Sequence, residues 1–204
     1  MADAIEYYDD DDFLPLKPAR KFTYGDYASR DEEVRYELID GIAYMMAPPG
    51  RWHQLVVGEL HGQLWDWLKD KPCEVYVAPF GVRLFAPPGE DDITDQTVVE
   101  PDVLVVCDTE KLSDGKACRG APDFVVEVIS ESTRGKDFGI KKNRYREAGV
   151  AEYWLVEKDA VYRNLLVGGE YRETVHAMDE GLELEVGVLP GCTVHFRRMA
   201  GKRL

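Results

Sequence analysis

Asp123-Phe124-Val125-Val126-Glu127-Val128-Ile129-Ser130 reads as a strand buried on both faces, since five of its eight residues are β-branched or aromatic apolar side chains in an unalternating run. A second stretch of the same kind, Val98-Val99-Glu100-Pro101-Asp102-Val103-Leu104-Val105-Val106, precedes it. Two such strands belong in the middle of a sheet covered by other elements, which predicts an α/β (α+β) protein. Each run carries an acid, Asp102 in one and Glu127 in the other. An ionised carboxylate in such surroundings is costly unless a cation or a hydrogen-bond donor meets it. Two ordinary explanations stand beside that. Asp102 follows Pro101 and would start a strand near its solvent end, and Glu127 would pair with an arginine such as Arg83. Either suffices for one residue; two such acids, with the lysine discussed below, mark a functional site.

Outward from this pair the elements fall into a simple order. Thr23 is a helix start for Phe22 to Arg35, with acids in the first turns. Tyr36 to Met46 reads as a hairpin around Asp40-Gly41, and its first strand carries a third acid, Glu37. Leu55, Val56, Leu60, Leu64, Trp67 and Leu68 recur at helical spacing and predict a long amphipathic helix over His53 to Leu68. Strands follow at Cys73 to Ala78 and Gly81 to Phe85. Asp108 to Ala121 reads as a loop with at most a helical turn. A second helix runs from Gly135 to Ala148 and stops at Gly149. Strands at Glu152 to Glu157, Val161 to Val167 and Tyr171 to Ala177 follow, the last two joined by the turn Gly168-Gly169.

At 204 residues and 45% hydrophobic, the chain supports one substantial core. The expected organisation is an acidic tail over residues 1–20, one domain over 21–196 and a basic tail over 197–204. No apolar run approaches the roughly 20 residues needed to cross a bilayer, and the N-terminus has acids where a secretory signal has basic and then apolar residues. No membrane association and a cytoplasmic location are therefore expected. Cys73, Cys107, Cys118 and Cys192 form no CxxC pair and have no histidine at zinc-ligand spacing, so free, mostly buried thiols are expected. The net charge of −14 opposes nucleic-acid binding as a bulk property, part of it lying in Glu6 to Asp12. Basic residues concentrate at Arg134 to Arg146 and at Arg197, Arg198, Lys202 and Arg203, so a local basic face is compatible with the acidic total.

Mg²⁺ prefers oxygen ligands and is commonly held by one or two carboxylates, water and phosphate oxygens completing its shell. Asp102 and Glu127 suit that role if their strands are neighbours. An ion there would activate water and stabilise charge on a phosphoryl group being cleaved. A lysine two residues after Glu127 would complete the set, but that position is Ile129. The following helix instead presents Asp137, Lys141 and Tyr145 at intervals of four, on one face. The alternative for Asp137 and Lys141 is an exposed helical pair contributing only ~0.3–0.5 kcal/mol. His53 opens the long helix and either contacts a phosphate, caps the helix or is structural. Trp52, Trp65, Trp67 and Trp154 read as core or interface residues.

Taken together, Tyr36-Glu37-Leu38-Ile39-Asp40-Gly41, His53-Gln54, Ala78-Pro79-Phe80-Gly81-Val82-Arg83-Leu84, Val99-Glu100-Pro101-Asp102, Gly120 to Ser130, Asp137 with Lys141 and Tyr145, and Gly149-Val150-Ala151-Glu152-Tyr153-Trp154 resemble the Uma-two family of restriction-endonuclease-type proteins, within the PD-(D/E)XK nuclease superfamily. The likeness runs from about Phe22 to Thr193. It implies a restriction-endonuclease-like mixed central β-sheet flanked by helices. It also implies metal at Asp102 and Glu127, a lysine displaced onto the helix at Lys141, and an auxiliary acid at Glu37. The family's Asp-Gly-Glu is Asp40-Gly41-Ile42 here, and its Ser-Pro-Ser-Thr is Ser130-Glu131-Ser132-Thr133. The expected activity is Mg²⁺-dependent hydrolysis of DNA phosphodiester bonds, with Mn²⁺ as a substitute ion and a homodimer as the form suited to cutting both strands. The competing expectation is a catalytically silent module of the same fold serving protein interaction or regulation, which the acidic charge favours.

Overall fold

The structure, a computed structural model, describes residues 20–31, 34–86 and 93–200. The acidic stretch Glu6 to Asp12 and the C-terminal Lys202 and Arg203 lie outside these residues.

Helix α1 (Tyr24–Ala28) begins at Thr23, whose N–H donates to the Asp26 carboxylate at 2.9 Å. Strands β1 (Tyr36–Ile39) and β2 (Ile42–Met45) pair around Asp40 and Gly41. Both turn residues have positive φ, 56° and 80°, the left-handed conformation that an Asp-Gly turn of this kind requires. Helix α2 (Arg51–Leu68) buries Trp52, Val56, Leu60, Leu64 and Leu68, one stripe at a spacing of four. After it come β3 (Glu74–Val77), β4 (Gly81–Arg83), β5 (Val98–Val99), β6 (Val103–Val106), a 3₁₀ turn at Thr109–Leu112, β7 (Ala117–Arg119) and β8 (Phe124–Val128). The helical region that follows comprises α3 (Arg134–Lys136), a π segment Asp137–Lys141 and α4 (Lys142–Ala148), ended by Gly149 at φ 92°. Strands β9 (Glu152–Val156), β10 (Ala160–Val167) and β11 (Glu170–Ala177) form a meander, and β12 (Glu183–Glu185) pairs with β13 (Thr193–His195).

These strands make a mixed α+β fold with two mixed sheets rather than one. The first has the order β2-β1-β5-β4-β7 and the second β11-β10-β9-β8-β6-β3, and among the described residues the parallel pairs are β4–β7 and β8–β9. The sequence run Val98 to Val106 is therefore not one strand. It divides at Glu100-Pro101, β5 entering the first sheet and β6 the second, because proline has no N–H to give to a ladder. β7 also replaces part of an expected loop, held by its parallel pairing with β4.

The second sheet is covered on both faces, which explains its continuous apolar runs. Val103, Val105, Phe124, Val126, Val128, Trp154 and Val156 cluster with the buried stripe of α2, while Leu104, Val106, Val125, Tyr153 and Leu155 cluster with Tyr145 and Val150. Along β8 Val125 and Glu127 lie on the second face, with Ile129 just beyond the strand, and Glu127 faces the helix that carries Tyr145. Of the tryptophans, Trp52 and Trp154 are core, whereas Trp65 is exposed beside His61.

One sequence expectation is corrected here. Cys73 and Cys107 form a disulfide instead of remaining free; Cys118 and Cys192 are free and buried. The β3–β6 register sets Glu74 opposite Val106, and one step further sets Cys73 opposite Cys107. Closing a loop of 34 residues this way stabilises the fold by about 4 kcal/mol in the chain-entropy view.

Candidate active site

The acids converge where the two sheets meet. Antiparallel pairing of Val103 with Val126 carries on by one residue to bring Asp102 across from Glu127, although Asp102 already lies in the crossover between the sheets. The Asp102 Oδ2 atom accepts from the Val128 N–H at 2.8 Å and approaches His53 Nε2 at 3.1 Å. Glu127 does not pair with Arg83, whose guanidinium goes to Asp95. Its Oε1 atom accepts from the Tyr145 hydroxyl at 2.7 Å and lies 2.6 Å from Lys141 Nζ.

Lys141 is the centre of this arrangement. Its ammonium is also 2.7 Å from Glu37 Oε1 and 3.7 Å from Asp137 Oδ1. Glu37 comes from β1 in the first sheet, receives the Glu100 N–H at 2.9 Å, and gives its other oxygen to Lys136 at 2.9 Å. Glu37, Glu127, Asp137 and Lys141 are all buried, so the exposed-pair alternative for Asp137 and Lys141 does not hold. The π segment that carries Asp137 and Lys141 is of the kind often found at functional sites. At the margin of the buried group the side chains of Lys136, Asp102 and His53 are 16%, 15% and 19% exposed.

The titration behaviour follows from counting charges. Three buried carboxylates, Glu37, Glu127 and Asp137, share two ammonium groups, Lys136 and Lys141. Burial raises the pKa of Glu37, but Lys141 and Lys136 more than offset it and lower it to about 2. Burial raises Glu127 to about 8; Lys141 opposes this, while Asp137, Asp102 and Glu37 add to it. Burial raises Asp137 as well, against the pull of Lys141 and Lys136, so Glu127 and Asp137, not Glu37, are the acids whose protonated forms are favoured. Burial lowers the pKa of Lys141, yet Glu127, Glu37 and Asp137 raise it well above the usual lysine value, so it stays an ammonium.

The donor set suits a hard cation. Each of the two adjacent acids gives one oxygen to protein donors, Asp102 its Oδ2 atom and Glu127 its Oε1 atom. Among the described residues no group of three or more His, Cys, Asp or Glu side chains is arranged around a metal position. The site thus offers two carboxylates, the number Mg²⁺ commonly takes from a protein when substrate phosphate and water supply the rest.

The remaining sequence candidates separate. His53, read beforehand as a phosphate contact, cap or structural residue, lies against Asp102, a contact between residues 49 apart that no local pattern signals. The basic stretch 134–146 is not a free basic face: Arg134 pairs with Glu157, Lys142 with Glu173, Arg144 with Asp40 and Arg146 with Glu170. Glu100 also escaped the sequence reading. It is buried and takes Tyr27, Arg30 and Arg35 while its N–H holds Glu37.

Comparison with known proteins supplies a family for this geometry. A family model described as "Uma2: Putative restriction endonuclease" matches residues 23–197. The chain belongs to the Uma2 family. The match spans both sheets and every residue of the acid–lysine group. Among solved structures, the crystal structure of "a putative nuclease belonging to DUF820" from Anabaena variabilis ATCC 29413 is similar, with a TM-score of 0.65, 13% identity, and 87% of this chain and 97% of that chain covered. That likeness establishes the fold. Among curated proteins no relative matches. No helix of the described residues is long and apolar enough to cross a membrane.

Proposed function

We propose that this Uma2 protein is a Mg²⁺-dependent endonuclease that hydrolyses DNA phosphodiester bonds. The observation that carries the reading is the register that sets Asp102 across from Glu127 at β6 and β8, beside the buried ammonium of Lys141. Asp102 and Glu127 would hold the ion. Bound there, a divalent cation supplies an activated water and charge stabilisation at phosphorus. Lys141, fixed by Glu37 and Glu127, orients water or meets developing negative charge as a permanent cation, which suits it better to electrostatic work than to proton abstraction. Glu37 acts as the auxiliary acid that holds Lys141 in place.

A second reading has an observation of its own. The basic residues of the helix are already paired with acids, and with a net charge of −14 this leaves little positive surface for a phosphate backbone. That favours a module of nuclease fold that serves interaction or regulation without cleaving DNA.

Metal removal separates the two. With Mg²⁺ or Mn²⁺ present, the protein is expected to nick plasmid DNA or cut single-stranded DNA, and with EDTA in excess cleavage should stop. Absence of cleavage with both ions and both substrates would leave the non-enzymatic reading in place.

A further inference from the structure

The two acids are held in matching ways, and one of the holders has no role so far. Glu127 gives Oε1 to Tyr145 and Lys141; Asp102 gives Oδ2 to the Val128 N–H and to His53. His53 is the third residue of α2, an 18-residue helix whose buried stripe fixes it against the second sheet. A carboxylate accepts and cannot donate, so across the 3.1 Å contact the hydrogen lies on His53 Nε2 and the imidazole is the donor. Nδ1 is buried and meets no partner among the described residues. Buried ring nitrogens ordinarily find partners, and leaving one without costs about 1–3 kcal/mol.

We infer that His53 is a positioning residue for the metal pair: by donating Nε2–H to Asp102 Oδ2 it fixes the carboxylate so that Oδ1 remains for the ion. This rests on the assignment of Asp102 and Glu127 as the ion's ligands. Outer-shell hydrogen bonds of this kind orient a ligand and tune its affinity without touching the metal. Val128 and His53 meet the same Asp102 oxygen from two different elements, the end of β8 and the start of α2.

The test is Mn²⁺ affinity, read by electron paramagnetic resonance of the free ion, for the full chain and for His53→Ala and His53→Gln. The alanine variant is expected to bind Mn²⁺ about 10- to 100-fold more weakly. The glutamine variant, whose amide N–H can reach the same oxygen, should recover most of that loss at an unchanged thermal midpoint. Alanine binding within about twofold of the parent, or glutamine as weak as alanine, overturns the inference while leaving the metal pair intact. A parent chain that binds no Mn²⁺ removes the metal pair itself. Should the alanine variant not fold, the tautomer of His53 in the parent decides. Imidazole nitrogen shifts showing Nε2–H support the inference, and Nδ1–H overturns it.

Discussion

Replacing Glu127 with alanine is expected to lower metal-dependent cleavage by at least about 1000-fold while leaving the chain folded. The size of the effect follows from what the ion contributes. Several kcal/mol of charge stabilisation depends on a site with only two protein ligands, and each 1.36 kcal/mol is a factor of ten. Folding should survive for a specific reason. Lys141 keeps Glu37 at 2.7 Å and Asp137 at 3.7 Å, so losing Glu127 does not strand a buried ammonium. What is lost is the partner of the Tyr145 hydroxyl, worth about 1–3 kcal/mol. Circular dichroism and a cleavage assay on the same preparation check both halves, and unchanged cleavage would show that Glu127 holds no catalytic ion.

Lys141→Met has the opposite balance. Here the fold itself is at stake, because Glu37, Glu127 and Asp137 lose their common cation and remain in a buried space. Removing one partner of a buried ionic group typically costs 3–5 kcal/mol. The pH dependence has a definite sign. Without Lys141 the folded-state pKa values of Glu127 and Asp137, already raised by burial, move further up, and that of Glu37 moves up from about 2. Stability is then retained where the acids are protonated and is lost as pH rises. The deficit relative to the parent should therefore be small near pH 4 and grow toward pH 8 in denaturant titrations. Below the temperature at which the variant unfolds, cleavage should still be reduced by about 100- to 1000-fold, the usual effect of losing one preorganised electrostatic group. A deficit independent of pH would mean that Lys141 does not neutralise these acids.

Much of the fold was readable because local chemistry dictated it. Asp40-Gly41 fixes the β1–β2 turn through two positive φ angles, and the four-residue spacing of α2 fixes its buried face. Asp102 and Glu127 stood out because valine and isoleucine surround them, and the pairing of β6 with β8 brings them together. Other features depend on contacts between distant segments. Pro101 signals a break but not that β5 and β6 enter different sheets, and Ala117-Cys118-Arg119 is a strand only because β4 lies beside it. The Cys73–Cys107 bond follows from a register between strands, which cysteine spacing does not encode. Helical spacing put Asp137, Lys141 and Tyr145 on one face. That this face is buried against Glu37 of the other sheet required the tertiary structure.

The central claim, that Asp102 and Glu127 jointly hold a divalent ion, is tested most directly by soaking crystals of the full chain in Mn²⁺ at neutral to mildly alkaline pH and recording anomalous diffraction. One peak within coordination distance of a carboxylate oxygen of both Asp102 and Glu127, about 2.0–2.1 Å if the ion is bound as Mg²⁺ would be, is the predicted result. Well-ordered carboxylates with no peak between them, or a peak held by other residues, would contradict it.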